Sequence, residues 1–138
     1  MWLLDTNICS FILKRRPPAV RERLEAISPN DVAVSAIVAA ELRYGAARHP
    51  ERARLNTEIE DFLSRLSILP WDDSASRAYG DLRAHLERAG SLIGNMDMLI
   101  AAHALARRAC LVTNNKGEFQ RVPGLRIEDW SAQPLLKG

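Results

Sequence analysis

The chain has 138 residues, 47% hydrophobic and 26% charged, which suits one globular domain with a single sizeable core. Its net charge of +2 admits a polyanionic partner without requiring one. The two cysteines, Cys9 and Cys110, lie in apolar stretches with no CxxC or Cys/His cluster, which argues against zinc or a disulfide framework and for a reducing cytosol. No apolar run reaches the roughly 18 residues of a membrane span, and the acid at position 5 breaks any signal-peptide core.

In chain order, "WLL" at 2–4 reads as a short buried strand ended by Asp5, with a helix following over "TNICSFILK". A basic turn leads to a short helix opened by Pro17-Pro18, which stops at Pro29-Asn30. "DVAVS" is a second strand. Ser35 is placed to cap the helix "AIVAAELRYGAA", expected to end near Gly45 or His49-Pro50. Over 51–66, Leu55, Ile59, Phe62, Leu63 and Leu66 recur at helical spacing. "SILPW" is a third strand, and residues 73–89 form a charged amphipathic helix stopped by Gly90. "NMDMLIAAHALARRA" is an apolar helix; "CLVTN" and "LRIEDW" are the last strands. Strands alternating with helices predict a parallel sheet covered on both faces.

In such sheets functional groups gather at the carboxyl ends of the strands. Asp5 follows the first strand. Asp97 opens the apolar helix, and Glu118 lies just past "CLVTN". Glu41 sits one to two turns into its helix with no Lys or Arg at i±4, so its carboxylate is expected to face the interior or a cleft. Taken singly, Asp5 is better read as a helix cap, Asp97 as a charge at the positive end of a helix, and Glu118 equally well as a loop acid. Together, four crowded carboxylates would be protonated unless a cation joined them. Oxygen donors without His or Cys select a hard ion, Mg²⁺ or Mn²⁺. A site without a protein nucleophile is suited to activating water for phosphodiester hydrolysis.

The segments "LLDTNI", "AAELRYGA", "IGNMDMLIAAHAL" and "LVTNNKGEFQRVPGLRIEDW" closely resemble, in order, the motifs of the VapC toxins of the PIN-domain ribonucleases. The resemblance covers nearly the whole chain, 1–138, as a single domain. It implies a three-layer α/β/α fold around a central parallel sheet. It also implies a Mg²⁺-dependent endoribonuclease of the cytoplasm, usually dimeric and inhibited by a small VapB-type antitoxin. Carried over by position, the metal-site acids are Asp5, Glu41 and Asp97. At the fourth position this sequence has Asn115 where many relatives carry aspartate, with Glu118 three residues on. Asp97 is expected both to cap its helix and to face the metal. Thr6 and Asn7 are expected to orient Asp5, and Thr113 and Asn115 to hold the fourth acid or a water.

Among other residues, His103 reads as a core histidine and Cys9 as an apolar filler. The stretch "KRRPPAVRER", 14–23, reads equally as an RNA-phosphate contact or a solvated helix face, and Arg43, Arg48, Arg52 and Arg54 could extend it. Phe11, Ile12 and Leu13, with Leu24 and Ile27, offer more apolar surface than two short helices need, a groove where the resemblance implies the antitoxin lies. Two other functions remain open: a housekeeping RNA-processing nuclease and a non-catalytic module that binds a basic partner. A phosphatase using Asp5 as nucleophile commonly needs a second aspartate at position 7, which here is asparagine.

Overall fold

The computed structural model describes residues 1–132; residues 133–138 of the expected single domain lie outside the described residues. The strands are β1 (Trp2–Leu4), β2 (Val32–Ser35), β3 (Ser67–Leu69), β4 (Cys110–Val112) and β5 (Arg126–Glu128). They form one sheet in the order β3-β2-β1-β4-β5, and every pairing is parallel. All residues of β2 and β4 are buried, as apolar strands covered on both faces must be. The edge strands β3 and β5 are partly exposed. This is the three-layer α/β arrangement expected from the alternation.

The helices are α1 (Thr6–Lys14), α2 (Pro18–Glu25), α3 (Ala36–Ala47), α4 (Arg52–Ser64), α5 (Asp73–Arg88), α6 (Asn95–Arg107) and a single turn, α7 (Lys116–Phe119). Local chemistry starts several of them. Asp5, Ser35 and Asp72 each accept a backbone N–H of the first turn, from Ile8, Ile37 and Ala75 respectively. Pro18 stands at the first position of α2, where its missing N–H costs nothing. Gly45 does not end α3; the helix runs on to Ala47, because a glycine inside a packed helix only weakens it. α7 falls where the sequence reads as loop.

The chain lays β1, β2 and β3 in one direction across the sheet, then crosses back to place β4 on the other side of β1. The order therefore reverses between β1 and β4. At such a switch point the flanking loops diverge and leave a crevice beyond the strand ends. Asp5 and Thr113, each one residue past its strand, stand at either lip of this crevice.

Candidate active site

Asp5 is held rigidly. It is only 5% exposed, and its Oδ1 accepts the Ile8 N–H at 2.9 Å. Burial pushes its carboxyl above the ordinary value; hydrogen bonds from Thr113 and from Ile8 pull it back, and the charges of Glu41 and Asp129 raise it again. The sequence reading assigned its support to Thr6 and Asn7, and the structure corrects this. The Thr6 hydroxyl donates to Glu41 Oε1 at 2.6 Å, and the Asn7 amide reaches Asn114 at 3.4 Å. Thr6 and Asn7 lie within the first turn of α1, beyond the cap, and Thr6 serves Glu41 in place of Asp5. Thr113, fully buried at the end of β4, is the residue that reaches across to Asp5.

Glu41 lies on α3, partly buried, and is fixed by that Thr6 hydroxyl. Asp97 lies in the first turn of α6, but it is not the cap. Gly94 occupies the cap position, and no side chain makes a capping bond there. Asp97 is three residues further along, where a carboxylate gains from the helix dipole without bonding the terminal amides. Its position leaves its oxygens free to face the other acids.

Glu118 comes from α7. Its Oε1 accepts the Gly94 N–H at 2.7 Å, and its Oε2 takes a very short hydrogen bond from the Asn115 amide. Over Gly94 the two acids meet: a Cβ built there would stand 3.4 Å from Asp97 Oδ2 and 3.5 Å from Glu118 Oε1. The two carboxyls act on one another in opposite directions. Burial first, then the hydrogen bond to Glu118 and the charges of Glu118, Asp5 and Glu41, push Asp97 up to about 7. Burial also works to raise Glu118. The Gly94 N–H, Asp97 and Asn115 outweigh it and hold Glu118 below the ordinary glutamate value.

Four carboxylates from four elements thus stand around the switch point without a cation between them. Among the described residues, no three His, Cys, Asp or Glu side chains already form a metal-holding cage. Glu41 is engaged by Thr6, and Glu118 by Gly94 and Asn115. Asp129, just past β5, adds its charge to the same edge. The sequence reading missed it, although the "EDW" after the last strand repeats the strand-then-acid pattern of "LLD".

Half of the arginines of the basic surface are committed elsewhere. Arg43 pairs with Glu60, and Arg54 with Glu51 and Glu58. Arg21 donates to the Ile12 carbonyl, and Arg23 binds Glu128 and lies over the Trp130 ring. In 14–23, that leaves Lys14, Arg15 and Arg16 as the exposed cations.

The PIN domain family model matches residues 2–125. The ribonuclease VapC2 of Rickettsia felis is 42% identical over 94% of this chain and 98% of its own. The tRNA(fMet)-specific endonuclease VapC of Shigella flexneri is 43% identical with the same coverage. A crystal structure of Rickettsia felis VapBC2 bound to a promoter DNA fragment superposes with a TM-score of 0.89 at 42% identity, covering 94% of this chain and 98% of that one. VapBC-1 of nontypeable Haemophilus influenzae gives a TM-score of 0.87 at 36% identity, covering 95% and 98%. Matched in sequence and in fold over nearly its whole length, this chain belongs to the PIN-domain family and, within it, to the VapC ribonucleases.

Proposed function

We propose that this protein is a toxin that cleaves RNA phosphodiester bonds by divalent-metal catalysis, in the cytoplasm, under control of a VapB-type antitoxin. One observation carries the catalytic part: four unpaired carboxylates at the switch point, one of them raised to about 7. The donor set fits a hard cation, because it is oxygen-only and four carboxylates face one another with only the charge of Arg121 acting on one of them, Glu118, among the described residues. Asp5, Glu41, Asp97 and Glu118 would hold Mg²⁺, or Mn²⁺ in its place. When bound, the ion supplies Lewis-acid neutralisation of the phosphate and activation of water.

The chain's own groups set the stage for that chemistry. Asp5, pinned by Ile8 and Thr113, is the fixed anchor. Thr6 orients Glu41 and Asn115 orients Glu118 by hydrogen bonds to one oxygen of each, which leave further lone pairs that would hold the ion. Asp97 must give up its proton as the cation arrives, which makes affinity fall below neutral pH. Gly94, having no side chain, leaves open the space between Asp97 and Glu118.

The antitoxin reading draws support from a cleft of about 420 Å³ between α1, α2 and α4. Ile12, Leu13, Leu24, Phe62 and Leu66 supply its apolar lining, and its rim mixes Arg15, Arg21 and Arg65 with Glu25, Glu58 and Asp61. Of the expected groove residues, Ile12, Leu13 and Leu24 line this cleft, and Phe11 and Ile27 do not. The similar structures from Rickettsia felis and Salmonella typhimurium are complexes of VapB with VapC on DNA, which supports a homodimer assembled into a larger complex with antitoxin here too. Both cysteines are free and buried, as a reducing compartment would have them, and no helix among the described residues is long and apolar enough to cross a membrane.

The names of the Shigella flexneri and Salmonella typhimurium relatives make initiator tRNA the first substrate to try. The test is cleavage of that tRNA by the purified protein, followed by end mapping, with and without the small protein encoded next to it. Site-specific cleavage blocked by the neighbour supports the toxin reading. Unblocked cleavage of a processing intermediate would favour a housekeeping nuclease. Absence of cleavage in any metal would favour a binding module.

A further inference from the structure

His103 is wholly buried in α6, six residues after Asp97, and Ser35 is 1% exposed at the junction of β2 and α3, six residues before Glu41. The imidazole Nδ1 lies 2.7 Å from Ser35 Oγ. Ser35 Oγ already accepts the Ile37 N–H at 3.1 Å as the cap of α3, so its proton is available to donate to Nδ1. The ring proton then sits on Nε2, which is buried with no partner. The other tautomer would strand both the serine hydroxyl proton and the Nε2 lone pair, so it is the poorer solution.

An apolar side chain of similar size among Ile100, Ala101, Ala102 and Ala104 would remove the orphaned Nε2–H and strand the Ser35 hydroxyl proton in its place, so the imidazole brings no net gain in satisfied groups. What the imidazole adds is a directional bond between two helices that pack together. Asp72 also acts on the ring, so the residue types are those of a nucleophilic triad. That chemistry is excluded by burial: the Ser35 hydroxyl is used as both donor and acceptor, and no substrate carbonyl reaches it.

We infer that His103 is a positioning residue for the metal site, its bond to Ser35 clamping the helix that carries Glu41 to the helix that carries Asp97. Among the described residues it is the one side-chain hydrogen bond joining the β2–α3 junction to α6. Ligands on separate helices hold an ion only if their spacing is fixed to within about 0.5 Å. Packing of small residues alone permits sliding of that order, whereas a buried hydrogen bond resists it. The inference rests on the metal reading above.

The experiment measures Mn²⁺ binding to the purified full chain by electron paramagnetic resonance, without RNA, alongside thermal melting. His103→Leu should weaken Mn²⁺ binding about tenfold. At saturating Mg²⁺ most of kcat should return, with KM for RNA unchanged. His103→Asn, whose amide oxygen stands close to the Nδ1 position, should restore most of the affinity. Ser35→Ala should weaken binding to a similar degree, and the double variant should be no worse than either alone. If His103→Leu does not fold, Ser35→Ala carries the same expectation: loss of the α3 cap lowers its melting temperature, and loss of the clamp lowers its Mn²⁺ affinity. A lower melting temperature with Mn²⁺ affinity unchanged overturns the inference, as do losses that simply add in the double variant. Failure of the wild-type chain to bind Mn²⁺ would instead remove the metal reading, and this inference with it.

Discussion

On α4 and α5 the acids meet arginines. Glu51 and Glu58 flank Arg54, Asp61 faces Arg65, Asp73 faces Arg77, and Glu87 faces Arg83, while Glu60 reaches across to Arg43 on α3. These pairs are exposed, mostly at i,i+3 or i,i+4, and their effect is to hold Glu51 and Glu60 below the usual carboxylate range. At the carboxyl edge of the sheet the acids meet one another. Burial raises Asp5 and lifts Asp97 to about 7, and none of Asp5, Glu41, Asp97 and Glu118 has a cationic side chain within salt-bridge distance among the described residues. Arginine is plentiful in this chain, yet at the edge Arg121 acts on Glu118 only from beyond ion-pair distance, so the missing pairs are not a matter of supply. An acid with its own arginine is neutralised and serves solubility and helix stability. An acid kept from one retains charge for a cation from outside.

The largest effect that would break this contrast comes from the edge itself. Asp5→Asn or Asp97→Asn should lower RNA cleavage by at least about a hundredfold, since each removes a charge directed at the ion. Neither should unfold the protein, because like-charge repulsion is relieved. Melting curves and single-turnover assays check both halves. Near-normal cleavage by Asp97→Asn would return Asp97 to the role of a helix-dipole residue.

Next in size is the fourth acid. Glu118→Gln should demand more Mg²⁺ and lose more activity than Asn115→Ala, by about tenfold across a Mg²⁺ titration. The geometry motivates the order: Asn115 is a donor to Glu118, which stands against Asp97. A silent Glu118→Gln beside a damaged Asn115→Ala would transfer the position to Asn115.

A subtler signature is the pH dependence of stability without metal. The folded protein keeps a proton on Asp97 up to about pH 7, while the unfolded chain releases it near the ordinary aspartate value. The folded state therefore binds more protons across that window, and melting temperature should fall as pH rises through it. Asp5 is shifted the same way. Glu118 is shifted the other way, and its window lies below the ordinary glutamate value, so it does not mask the fall above it. Added Mg²⁺ should flatten the slope, and Asp97→Asn should remove most of it. A melting temperature that instead rises between pH 5 and 7 would mean that the edge acids are internally compensated.

The smallest effect belongs to the paired acids. Glu60→Gln on α4 should leave cleavage unchanged and barely move the melting temperature, as loss of an exposed pair does. A measurable change in cleavage would show that the surface pairs couple to the edge.

Most of the framework was legible in the sequence. The five strands and the six longer helices announce themselves by apolar runs, helical spacing and the caps Asp5 and Ser35, all of which are local signals. Three of the four acids could be placed because each follows or opens an element whose end the sequence marks. What resisted reading depends on distance in space. That Thr113, and not Thr6, supports Asp5 follows from β4 lying beside β1, a neighbour 108 positions away. That Gly94 starts α6 while Asp97 faces Glu118 depends on α7, a single turn too short to show a period. His103 was legible as buried, but its bond to Ser35 spans two helices and leaves no trace in either segment alone.

The central claim is that the unpaired acids at the switch point await a divalent ion and use it to cut RNA. The direct measurement is cleavage of a defined RNA by the purified wild-type protein, stripped with EDTA and titrated with Mg²⁺, with Asp5→Asn prepared identically to expose contaminating nucleases. The account predicts no cleavage in EDTA, recovery on adding Mg²⁺ or Mn²⁺, and none from Asp5→Asn at any metal concentration. Cleavage by the wild-type protein that persists undiminished in EDTA, and that Asp5→Asn lacks, would contradict it.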